Sequence, residues 1–218
     1  MITNVPKEFV DAAAPVIDPF LTIEMEALMR FGRWEELLRV PLPAANLPQS
    51  RAFRLFVRGV AYAALGRVSE AVTEQGRFRA AVAELPKDAA WGLNPAAKVF
   101  KIAELVLAGE ISAADGRADS AVRELTDAAE FEDQLAYDEP YDWMVPARHA
   151  LGAVLLREKK WSDAERVYRA DLERYPENGW SLWGLARALR MQGKKDEAKA
   201  VDARFEKAWE HADIELGT

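Results

Sequence analysis

The feature that most constrains this chain is a turn that recurs five times. Each occurrence is an amphipathic stretch, then Gly-Arg or Lys-Lys, then a short spacer and a small residue opening a second amphipathic stretch. The five read ALMRFGRWEEL, AYAALGRVSEAV, SAADGRADSAV, VLLREKKWSDAE and ALRMQGKKDEAK, with turn positions at Gly32, Gly66, Gly116, Lys159 and Gly193. Successive turns lie 34, 50, 43 and 34 residues apart. A glycine that follows an apolar-periodic run ends a helix in a left-handed turn, so each segment reads as helix–turn–helix. One such hairpin cannot bury its apolar face alone, and several in series must stack on their neighbours.

The residues around the turns carry a family resemblance. Gly59, Tyr62, Gly66 and Ala71 stand in the second unit, and Gly152, Leu155, Lys159 and Ala164 in the fourth, followed by Tyr168 and Pro176. Leu185, Ala186, Leu189, Gly193, Ala198 and Phe205 stand in the fifth. This pattern resembles the tetratricopeptide-repeat (TPR) family, whose period is 34 residues. Departures are Leu37 in place of the alanine in the first unit, Lys159 in place of the fourth turn glycine, and a third unit (Gly109, Gly116, Ala121) that matches at small positions only. The resemblance covers roughly 19–210 and implies an all-α fold, an α-solenoid of antiparallel helix pairs wound as a right-handed superhelix. It implies an N-terminal segment over 1–18 and a single repeat domain over 19–218, with units near 19–40, 50–84, 96–135, 145–174 and 180–213. PLPAANLP (41–48) and WGLNP (91–95) are expected to be connectors, because proline and glycine interrupt helices there. Ser69 and Asp119 are expected to cap or begin second helices.

The resemblance also implies where function sits. The first helix of each unit would line a concave groove that binds an extended peptide or protein segment, without catalysis and without a cofactor. In that phase the groove-facing positions include Trp180, Trp183, Arg187 and Arg190 in the fifth unit, His149 and Arg157 in the fourth, and Phe53 and Phe56 in the second. Spacings of 3, 4 and 3 put the two tryptophans and two arginines on one helix face, suited to an acidic or carboxylate-bearing segment. A plainer reading stays open: the indoles pack on a neighbouring unit and the arginines pair with local carboxylates.

Composition removes several alternatives. A net charge of −7 without a basic stripe argues against nucleic acid. With no cysteine there is no thiolate, disulfide or Cys-ligated zinc. His149 and His211 are the only histidines and no HExxH is present, so no metal centre is expected. The first twenty residues lack a basic stretch followed by an apolar one, and no apolar run approaches 18 residues. A cytoplasmic location without membrane insertion is therefore expected. The chain begins close to repeat material, as a piece of a longer protein would.

One segment resists this scheme. From Asp127 to Asp142 there are seven carboxylates and no Lys or Arg. It reads either as a helix end with a solvated loop or as a docking patch for a basic partner. Its last part, YDEPYDWMVP (137–146), is expected to connect the third and fourth units. Tyr141 and Trp143 would fold back on the junction and leave Glu139 near the groove rim. Two further function classes remain at this level: an enzyme or regulatory segment with a site near His149 and residues 127–142, and an oligomerising module that associates with its own copies.

Overall fold

The computed structural model describes residues 6–214 and residue 216, apart from the side chains at 7, 9, 10, 11 and 15. Residues 1–5 of the N-terminal segment lie outside the described residues. Among the described residues the regular structure is eleven α-helices, one 3-10 turn (Asp18–Thr22) and one two-residue hairpin, so the protein is all-α. The helices are α1 (Lys7–Ile17), α2 (Ile23–Arg30), α3 (Trp34–Arg39), α4 (Pro48–Ala64), α5 (Val68–Ala83), α6 (Ala96–Ala114), α7 (Ala118–Glu132), α8 (Ala147–Arg157), α9 (Trp161–Arg174), α10 (Gly179–Met191) and α11 (Lys195–Ala208). The hairpin is β1 (Ala90–Trp91) against β2 (Asn94–Pro95). The chain forms two compact units, Met1–Val145 and Pro146–Thr218, and the boundary falls inside YDEPYDWMVP.

The five turns share one geometry. At each, the turn residue has positive φ: 64° at Gly32, 72° at Gly66, 74° at Gly116, 58° at Lys159 and 76° at Gly193. The following N–H donates to the carbonyl five residues back: Arg33 to Leu28, Arg67 to Tyr62, Arg117 to Ser112, Lys160 to Leu155 and Lys194 to Leu189, all at 2.8–3.0 Å. The turn residue's own N–H donates three residues back, to Met29, Ala63, Ala113, Leu156 and Arg190. This pair of bonds is the Schellman arrangement, which satisfies carbonyls left orphaned at a helix C-terminus. The residue five past each turn (Leu37, Ala71, Ala121, Ala164, Ala198) is buried. Ser69 and Asp119 lie in the first turns of α5 and α7, one residue past the helix start.

Lys159 alone supplies the left-handed residue with a Cβ. That conformation costs an L-residue with a side chain about 1–2 kcal/mol. Lys159→Gly is expected to recover roughly 0.5–1 kcal/mol after the added entropy of an unfolded glycine. Chemical denaturation of the two proteins checks it, and an unchanged midpoint counts against strain at this turn.

In the N-terminal unit the small residues of the first helices meet large ones. A Cβ at Gly59 would stand 2.7 Å from Leu107, and one at Gly109 would stand 2.5 Å from Leu125. An aromatic cluster fills the space beneath: Phe53 lies 5.4 Å from Phe56 and 5.5 Å from Trp91, Phe56 lies 5.7 Å from Trp143, and Phe78 and Phe100 continue it. Tilted ring pairs of this kind add about 0.5–1.5 kcal/mol each beyond area burial. The arginines of α4 finish the short α3: Arg58 donates to the Leu38 carbonyl and Arg54 to that of Val40, each at 2.7 Å.

Candidate functional site

Two places in the molecule bring together residues with chemistry, one in each unit. In the C-terminal unit Tyr168 of α9 is the wedge that sets spacing. A Cβ added at Gly152 of α8 or at Gly184 of α10 would stand 2.4 or 2.2 Å from its ring. The same three helices share a polar knot one turn away. Asp171, fully buried, accepts a 2.6 Å bond from the Ser181 hydroxyl and lies 3.1 Å from His149 Nε2 through the same oxygen. A buried carboxylate must be paired, and here a serine and a histidine from the two flanking helices do it. The serine proton goes to the carboxylate and not to the imidazole, so the trio lacks the nucleophile–base bond of a hydrolytic relay.

His149 is therefore a largely buried tie, its ring stacked 6.4 Å from that of Trp180, and not the open groove lining that the repeat phase suggests. Trp180, Trp183, Arg187 and Arg190 are, with Met191, the less buried positions of α10, while Leu182, Leu185, Ala186 and Leu189 face inward. Each of the four has a local partner. Trp180 meets Trp209 edge-on at 4.7 Å, Arg187 lies 5.4 Å over the Trp183 ring, and Arg190 pairs with Asp202 of α11 at 3.0 Å. Asn178 caps this helix through the amides of Trp180 and Ser181. Arg157 is exposed, 3.9 Å from Glu158.

Phe53 and Phe56, expected on the open groove, are core residues at 2% and 0% exposure. Phe56 meets Phe78 of its own hairpin, and Trp91 and Trp143, both from connectors, close over Phe53 and Phe56. Trp143 is accordingly buried and not a rim residue, whereas Glu139 and Tyr141 are exposed.

The second place is where the two connectors meet. Asn94 of β2 donates to Asp142 at 2.7 Å and to the Ala136 carbonyl, and accepts from the Ala136 amide at 2.8 Å. The Leu93 amide donates to Asp138 at 3.1 Å. Gly92 has a φ of 57°, and any Cβ there would stand 2.0 Å from Asp142 Oδ1, so this position needs glycine. Asp138 and Asp142 thus latch YDEPYDW onto WGLNP. Burial pushes the Asp142 carboxyl above its usual range, with the Asn94 donor opposing.

Beside the latch, Glu26 of α2 is buried and its pKa is pushed up to about 7, chiefly by loss of water. The Thr22 hydroxyl lies 2.6 Å from the Pro19 carbonyl and 2.5 Å from Glu26 Oε1. One hydroxyl has one proton, and a carbonyl has none to give. The hydroxyl is therefore shared between the two oxygens, and its bond to Glu26 opposes the rise. Nearby, Asp18 accepts from the amides of Gln49 and Ser50 at 2.7 and 2.9 Å, capping α4 from thirty residues away. Nothing near Asp18 or Glu26 in the sequence signals either role.

Among the described residues no group of three or more His, Asp or Glu side chains stands close enough to share a metal ion, and no helix is long and apolar enough to cross a membrane. Comparison of the chain with protein-family models, with curated proteins and with solved structures finds no match.

Proposed function

We propose that this chain is a TPR-like helical-repeat scaffold that binds a protein or peptide segment and carries out no reaction itself. The observation that carries this reading is the five-fold repetition of one hairpin turn, with a buried alanine or leucine five residues beyond each. Repetition of a structural joint without repetition of any reactive group is what an interaction scaffold requires. The knot of His149, Asp171 and Ser181 is spent on holding three helices together, which supports a non-catalytic reading. For the contact surface, the outward face of α10 is the best candidate. Trp183 with Arg187 stacked on it forms a rigid, amphipathic pair of the residue types that dominate binding hot spots. An acidic segment is its natural complement, since a stacked guanidinium still offers its N–H fork to a carboxylate.

The double substitution Trp183→Ala with Arg187→Ala tests this. Partners captured by the unmodified chain are expected to bind the variant roughly 30-fold more weakly or worse, as hot-spot losses of about 2 kcal/mol or more imply. Melting temperature and helicity should stay unchanged, because neither side chain is in the core. Equal binding by calorimetry places the contact surface elsewhere.

A further inference from the structure

The place where α2 meets the connectors holds a cavity of about 240 Å³. Phe20, Trp91, Tyr141 and Met144 line it together with the carboxyls of Glu26 and Asp142, and no Lys, Arg or His does. Phe20, Tyr141 and Met144 are 50%, 38% and 41% exposed, while both acids are buried, which is the informative observation. A neutral apolar occupant would cover two carboxyls and give them nothing in return. An anion would be repelled. A hard metal ion would find only two carboxyls, one already bonded to Asn94 and the other to Thr22. Those internal bonds also leave no open fork for a guanidinium. What fits is positive charge with an apolar skin and no N–H groups to satisfy, set against aromatic rings.

We propose that this cavity binds a methylated ammonium group. The rings of Phe20, Trp91 and Tyr141 and the polarisable side chain of Met144 line it, Asp142 supplies countercharge, and Glu26 adds to it above the pH at which it loses its proton. The volume suits a trimethylammonium head and not a drug-sized ligand. Two sources share this chemistry, a small quaternary amine such as choline and a trimethylated lysine on a protein segment. The site is in the N-terminal unit and does not rest on the α10 surface or on the scaffold reading.

The test is titration of the full chain near pH 8 with tetramethylammonium, choline, a trimethyl-lysine peptide and the neutral isostere 3,3-dimethylbutan-1-ol, following the Met144 and Ile23 methyl groups by NMR. Cations should give saturable shifts, with the isostere at least about fivefold weaker, the margin that cation–π attraction supplies. Phe20→Ala and Tyr141→Ala should each weaken the cation by about two- to fivefold, and both side chains are exposed enough for the fold to survive their loss. Glu26→Gln, which keeps shape, should weaken the cation and not the isostere. Tighter binding of choline than of the peptide identifies a small-molecule source, and the reverse identifies a protein one. Equal binding of the isostere, no movement of Met144 with any cation, or cation affinity unchanged in both aromatic variants overturns the proposal.

Discussion

Tyr168→Ala is expected to cost the C-terminal unit about 3–5 kcal/mol, the range for deleting a large buried ring. The ring is buried, and the glycines at 152 and 184 leave room for it from both sides. No neighbour can collapse into its space without moving a helix, so the cavity term should be near its full value. The converse substitution, Gly184→Ala, is expected to cost about 1–3 kcal/mol, because its Cβ would enter the ring and the buried ring has nowhere to swing. The two changes are predicted to be strongly non-additive. Once the ring is gone, Gly184→Ala has no clash and gains the roughly 0.5–1 kcal/mol that alanine holds over glycine within a helix. Urea unfolding of the four proteins of this cycle gives the coupling. Additive costs would mean that the ring does not set the separation of α8, α9 and α10.

Glu26→Gln is expected to stabilise the N-terminal unit at pH 8 by about 3 kcal/mol and to change little at pH 4. The folded carboxyl has its pKa raised from 4.5 to about 7. Below 4.5 both folded and unfolded chains hold the proton, and the fold has its full stability. Between 4.5 and 7 the unfolded chain releases the proton while the folded one keeps it, so stability falls as pH rises. It levels off above the folded pKa, having lost the equivalent of about 1.4 kcal/mol for each pH unit of the gap. Glutamine stays neutral at every pH and keeps an oxygen that accepts from Thr22. Thermal melts at several pH values separate the proteins: a sloping profile for the unmodified chain and a flatter one for the variant. Parallel profiles would show that Glu26 titrates alike in the folded and the unfolded chain.

The hairpins were legible because their causes are local. The expected units near 50–84 and 96–135 correspond to α4 with α5 and α6 with α7, and the turn at Lys159 has the same bonds as the four at glycine. The positions facing out of α10 were legible for the same reason, since 3.6-residue periodicity sorts Trp180, Trp183, Arg187 and Arg190 from Leu182, Leu185 and Leu189. Failure came where a second segment decides exposure. Periodicity gives the direction in which Phe56 points and cannot say that Trp143, 87 residues later, waits there. The acidic segment was misjudged in one respect. Read as solvated or as a patch, it spends Asp138 and Asp142 on holding another connector.

What the sequence determined by itself, then, was the hairpin: a bond from one residue to a carbonyl five earlier needs only a left-handed residue between them, and glycine or a strained lysine provides it. What only the tertiary structure decided was solvent access. Asp18 becomes a helix cap, Asn94 a latch, Phe53 a core residue and Glu26 an acid with a raised pKa because chain distant in sequence removes water from each. Desolvation is a property of the assembled neighbours and not of the residue, and the chemistry of the cavity at α2 follows from it.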